Sequence, residues 1–309
     1  MTRSFLRAVL GSAALVLIPA ASQGADQPQI TVRSKPAMNQ AEFHDLVTQT
    51  YWLDPKKQKD AKYLEGGTRR LDAFWEKAMA DRTGFAPLLA AELQRADQPA
   101  NFYLDAPLLL HFIDPSVAMG QIGAAGLLKV DFKQVSLNPG NYVLATNLLM
   151  GDGVDTTDAA LHLLDHKDHQ FGVNAFPHYF EYEKIEALVW MLFGMEEQKF
   201  VPKLAARLQT ETDNYNLGAI IHALWESVTP EGWAALRAYA KGPCKNKDAC
   251  AYAREMLAHT GDDPPAKGLV ADDLRAKRRT IAMKPFVHDS YIAFHKLSDD
   301  LAAIAGPKL

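Results

Sequence analysis

Cysteine is scarce in this chain: only Cys244 and Cys250 occur in 309 residues, in the run GPCKNKDACAY. Their spacing is not CxxC and no further thiols stand near them, which excludes a dithiol redox pair and a thiolate metal centre. The chain also lacks a dominant charge sign, with 33 Lys and Arg against 37 Asp and Glu and a formal net charge of -4. Phosphate binding needs a clustered positive surface, so no nucleic-acid partner is expected. Beyond the first twenty or so residues no apolar run approaches the ~20 residues that span a bilayer. Runs of alternating apolar and polar residues long enough to demand a sheet are missing too, which makes the class all-α.

What is present starts at the amino terminus. Arg3 and Arg7 precede an apolar stretch from Ala8 to Pro19, followed by small residues. This is the three-part layout of a secretory signal, with cleavage expected after Ser22 or Gly24. The apolar stretch is too short for an uncleaved membrane anchor. An exported chain, periplasmic or extracellular, meets oxidising conditions, so Cys244 and Cys250 are expected to pair as a staple between two helices. Closing so small a loop contributes roughly 2 kcal/mol in the chain-entropy description.

One apolar pattern recurs at 32-residue intervals. Ile185, Leu188, Val189, Leu192 and Phe193 follow the spacing of an amphipathic helix, Leu217, Ile220, Ile221, Leu224 and Trp225 repeat it, and Ala249, Tyr252, Ala253, Met256 and Leu257 give a third copy. A second correspondence joins FAPLLAAELQ at Phe85 to FVPKLAARLQ at Phe200, 115 residues on. In both, a proline sits near the expected helix start, where its missing N–H costs little.

These registers predict alternating A and B helices. The A helices fall near 84–95, 115–128, 156–165, 197–209, 230–241 and 270–283; the B helices fall near 105–113, 140–150, 182–193, 214–226, 247–259 and 287–296. Expected caps are Asn39 with Glu42, Thr68, Asp105 ahead of Ala106 and Pro107, Asp155 with Thr156 and Asp158, Thr229 ahead of Pro230, Gly194, and Ser298 for a short final helix. The chain divides into a signal peptide (1–24), a flexible arm (25–38), capping helices (39–83), repeats (84–261) and C-terminal capping helices (262–309).

Paired helices with a period in the thirties, LLAAEL and KLAARL in first helices and a leucine-dense second helix resemble HEAT-like or armadillo-type repeats over roughly residues 84 to 260. The tryptophan, glycine and tyrosine pattern of tetratricopeptide repeats is absent. The resemblance implies a solenoid of about five to six stacked antiparallel helix pairs that binds other molecules on a concave surface. It transfers no catalytic residues. The same number of hairpins would also suit an (α/α)6 toroid.

Two places stand out for function. The register aligns Trp190, His222 and Arg254 just beyond the apolar face, a row of an aromatic, a titratable ring and a fixed cation suited to an anionic or sugar-like ligand. The competing reading packs Trp190 against a neighbouring repeat and leaves the other two solvated. The second place is the long connection DHKDHQFGVNAFPHYFEY, holding His166, His169, His178 and Tyr179. His162, His166 and His169 could face one metal ion if the helix continued, but the outer two would lie about 10 Å apart along the axis. No metal site is expected there, and the run GDGVDTTD lacks the order of a calcium loop.

The expected function is therefore an exported binding or scaffold module for a protein or cell-envelope component, without cofactor or catalysis. One alternative is a carbohydrate-active lyase or glycosidase on the toroid, using His178, Tyr179, Tyr182 and Glu181 or Glu183. The other is a metal-binding protein using the 162–178 histidines.

Overall fold

The computed structural model describes residues 38–52, 54–57, 60–135, 140–166, 170–175, 178–183, 188, 192, 197–243, 245–258, 270–282 and 288–305. Residues 1–37, which hold the expected signal peptide and nearly all of the expected arm, and Phe193, Gly194, Trp190, His169 and Cys244 lie outside them.

Helix α1 (Gln40–Tyr51) opens on the expected capping box: the Asn39 side chain accepts from the Ala41 and Glu42 amides, and the Asn39 amide donates to Glu42 Oε2. It buries Phe43, Val47 and Tyr51 at four-residue spacing against α2 (Ala61–Ala80). The cap of α2 is Asp60, not Thr68, whose hydroxyl donates back to the Leu64 carbonyl inside the helix. Edge-to-face contacts among Phe43, Tyr51, Phe74, Phe85 and Phe102, at 4.9 to 5.4 Å between centroids, seal this end of the stack.

Then follow α3 (Arg82–Gln94), α4 (Ala100–Ile113), α5 (Val117–Leu127), α6 (Gly140–Gly151) and α7 (Thr157–His162). Asp105 does not begin α4; the helix starts five residues earlier, after Pro99, and carries Asp105 in its fully buried middle. The apolar surroundings hide this carboxyl, which accepts from Tyr51 and Trp75 instead of from a helix terminus.

Beyond a short 3-10 turn at Leu163–Asp165 the backbone turns extended. Strands β1 (Gln170–Ala175) and β2 (His178–Glu183) pair antiparallel, Ala175 opposite His178 and Gln170 opposite Glu183. This hairpin is the one departure from an all-helical chain among the described residues, and it occupies what the sequence suggests is a loop and the start of a helix. The aromatic and β-branched run FGVNA and HYFEYE favours strand geometry. Leu188 and Leu192 of the first 32-residue copy are helical and buried.

The remaining helices are α8 (Glu197–Thr210), α9 (Asn214–Glu226), α10 (Pro230–Lys241), α11 (Lys247–Ala258), α12 (Ala271–Ala282) and α13 (His288–Ala305). Thr229 caps α10 as expected, accepting from the Gly232 amide ahead of Pro230 at the first position. Ser298 begins no separate helix: α13 runs through it, and its hydroxyl donates to the Phe294 carbonyl. Pro87 and Pro202 both fall at the sixth position of their helices, so each removes a main-chain hydrogen bond. Both rings face outward, while Phe85 and Phe200, Leu89 and Leu204, and Leu93 and Leu208 are buried in matching register.

Packing follows the order of the chain. Helices adjacent in the chain pack together within the stack, and next-but-one contacts join α1 and α3, α2 and α4, α3 and α5, α4 and α6, α8 and α10, and α9 and α11. That pattern fits stacked helical hairpins. Leu217, Ile220, Ile221, Leu224 and Trp225 are all buried, as are Ala249, Ala253 and Leu257, with Met256 packed at the margin. No described helix is long and apolar enough to cross a membrane.

Candidate functional site

Helix α9 presents two faces. Its apolar stripe enters the core, while His222 and Glu226, four residues apart, share the adjoining face. Glu226 is the last residue of α9 and is completely buried.

Groups from three further helices converge on it. From α12, Arg278 is 2% exposed, and its Nη2 donates to the Glu226 carbonyl at 2.5 Å while lying 3.7 Å from Oε2. A cation at a helix C-terminus is favoured by the helix dipole. From α13, Nδ1 of His295 contacts Glu226 Oε1. His222 Nε2 stands 3.5 Å from the same oxygen, and the two imidazoles meet edge to face at 5.6 Å. From α11, the Tyr252 hydroxyl lies 3.2 Å from His222 Nδ1. The His222 and His295 side chains are 18% and 31% exposed, so one side of the group opens to solvent above a buried carboxylate.

Burial alone would raise the pKa of Glu226, but its contacts with His222 and His295 outweigh that and hold the carboxyl well below the usual range. Burial pulls the Arg278 guanidinium down to about 10, against the pull of Glu226 and Glu197. The ligand atoms of His222, Glu226 and His295 all lie within 4.8 Å of one another. Among the described residues, no other group of three His, Cys, Asp or Glu side chains is so arranged.

The turn after α9 is held from the same side. Arg275 Nη2 donates to the Val228 carbonyl at 2.6 Å, and Val228 has φ 48, a left-handed conformation costly for a β-branched residue. Arg275 and Arg279 also reach Glu197 at the start of α8, at 4.0 and 3.3 Å.

The other residues singled out in the sequence lie elsewhere. Arg254 is exposed on α11, its Nη2 donating to the Ala240 carbonyl, and it does not join His222. The helix does not carry His162 and His166 onto one face. His162 Nε2 lies 2.9 Å from the Val130 carbonyl and Nδ1 3.2 Å from Asp165, so both its nitrogens are engaged. His166 is buried in extended backbone, edge-on to Phe132. His178 and Tyr179 belong to β2, opposite Ala175 and Asn174.

His222 was thus legible in the sequence, but Glu226 and His295 were not. The pair at i and i+4 was a local signal for Glu226, whereas nothing near His295 announces it. No protein-family profile, curated protein or solved structure matches the chain.

Proposed function

We propose that this chain is an exported helical-repeat module that binds a protein or cell-envelope component along its stacked hairpins. The observation that carries this reading is the next-but-one packing of α8 on α10 and α9 on α11, which builds a continuous helical surface. An open cleft bordered by Gln209, Thr212, Tyr239 and Lys245 lies where the α8–α9 and α10–α11 connections meet, and it offers polar and aromatic groups to a partner. Export is supported by Arg3, Arg7 and the apolar run Ala8–Pro19. The Cys244–Cys250 pairing belongs to the same reading, with Cys250 buried on α11 and Cys244 six residues before it. A disulfide there would lower the mass of the non-reduced chain by about two hydrogens and leave no titratable thiol.

Proximity labelling in the native envelope, with the chain fused at its carboxyl end, tests the reading. A discrete set of enriched envelope proteins is the expected result. Labelling indistinguishable from that of an unrelated exported control, together with cleavage of envelope polysaccharide by the purified chain, would replace it with the carbohydrate-active alternative.

A further inference from the structure

We propose that His222, Glu226 and His295 form a site for a divalent transition-metal ion of zinc's coordination class, and that the ion fastens α13 to α9. This goes beyond the binding-module reading and does not rest on it.

The donor set comes first. Two imidazoles and one carboxylate suit zinc and its neighbours, whereas calcium and magnesium take oxygen ligands throughout. Bonds of about 2.1 Å in a tetrahedral shell put ligand atoms about 3.4 Å apart. His222 Nε2 and Glu226 Oε1 stand 3.5 Å apart, and all three donor atoms lie within 4.8 Å. His295 Nδ1 touches Glu226 Oε1 directly, so this imidazole has to draw back from the carboxylate for an ion to sit between them.

Buried polar atoms point the same way. Nε2 of His222 and both Glu226 carboxylate oxygens are sealed from solvent, and what reaches the oxygens are the ion-pair contacts of His295, His222 and Arg278 rather than aligned hydrogen bonds. Buried groups of this kind ordinarily have partners, and a cation placed among them supplies one. The rival account makes the histidines counter-ions of Glu226. Arg278 already provides a fixed positive charge on the Oε2 side, which leaves Oε1, where both imidazoles meet it, as the edge that a bound cation would share.

The surroundings are those of a ligand shell. Tyr252 stands at His222 Nδ1, fixing that ring with Nε2 turned toward Glu226, as outer groups orient metal-bound histidines. Glu226 forms the buried floor and the two partly exposed imidazoles form the entrance. An ion can enter from that side and keep a water or an exogenous ligand in its remaining position.

The test uses the mature chain without a histidine tag, stripped with a chelator and titrated with Co(II). We expect one equivalent to bind with visible bands of low-symmetry coordination, Zn(II) to displace it, and Zn(II) to slow amide exchange in α9 and α13 of the unaltered chain. His222→Ala and His295→Ala, checked for fold by far-UV circular dichroism, should each weaken binding more than tenfold. A triple variant at His162, His166 and His169 should bind as the parent does. Absence of stoichiometric Co(II) binding, or binding that survives both alanine variants, overturns the proposal. So does loss confined to the triple variant, or zinc-dependent protection that misses α9 and α13. The amide-exchange readout needs no substitution, so it decides even if a variant misfolds. None of these failures touches the proximity-labelling result.

Discussion

Arg278 reaches Glu226 twice, donating from Nη2 to its main-chain carbonyl at 2.5 Å and standing 3.7 Å from its side-chain Oε2. One side chain of α12 therefore closes the end of α9 and balances its buried carboxylate. Phe294 lies under the guanidinium at 4.7 Å and completes its enclosure.

Replacing Arg278 with Met keeps the length and removes the charge. Breaking a buried pair from one side costs about 3 to 5 kcal/mol, because the remaining charge stays enclosed. Arg279→Met, which removes a partner of Glu197 at a site 39% exposed, should cost under about 1 kcal/mol. Urea unfolding of the two variants at neutral pH should separate them clearly; equal losses would mean Arg278 is not an anchor.

Asp105 supplies a pH dependence. Burial raises its pKa to about 6, although Tyr51 Oη and Trp75 Nε1 donate to Oδ2 at 2.6 and 2.8 Å. The folded chain therefore holds this proton more tightly than the unfolded one. Its stabilising contribution is complete below the ordinary carboxylate range and is lost as pH rises through about 6, a change of about 3 kcal/mol. Asp105→Asn cannot titrate. Its stability relative to the parent should rise by that amount between about pH 4 and about pH 7.5, and parallel profiles in denaturant would contradict the assignment.

Two glycines of α5 should respond oppositely to alanine. A Cβ on Gly126 would stand 2.7 Å from Leu93 Cδ2 in a filled core, whereas on Gly123 its nearest neighbour would be 3.4 Å away. Gly123→Ala should be neutral or stabilising by up to about 1 kcal/mol through helix propensity. Gly126→Ala should destabilise by about 1 to 3 kcal/mol through overpacking. Thermal unfolding of both variants checks the order.

Glu92 and Arg207 occupy equivalent places in the 115-residue correspondence, yet only Glu92 is fully buried. It accepts from Gln40 and Gln98, each at 2.6 Å, with His44 Nδ1 at 2.5 Å. Glu92→Leu should cost about 3 kcal/mol by stripping these groups of their acceptor. Arg207→Leu, at a half-exposed pair with Glu211 and Asp165, should cost under about 1 kcal/mol in the same denaturation assay.

Helices α8 to α11 were legible almost to the residue. Their apolar spacing is regular, and Asp213 and Thr229 sit at their starts as local hydrogen-bond acceptors. Local chemistry misleads where tertiary packing overrides it. Asp105 looks like a cap because Ala and Pro follow it, but its acceptor role is filled by Tyr51 and Trp75 from distant helices. The β-hairpin was hidden because its strands are short and lie within a loop rich in histidine and aromatic residues. The site was half visible: His222 fell out of the repeat register, while His295 comes from a helix outside that register, brought in only by the docking of α13.

The attachment of α12 and α13 has an outer and an inner layer. Arg275 and Arg279 meet Glu197 where water reaches, so these partly exposed pairs weaken as salt is added. Arg278 and Glu226 are enclosed, at 2% and 0% exposure, so salt weakens their pairing far less. Brine would therefore loosen the rim of this attachment while sparing its centre, and the terminal helices would stay seated through changes in salinity.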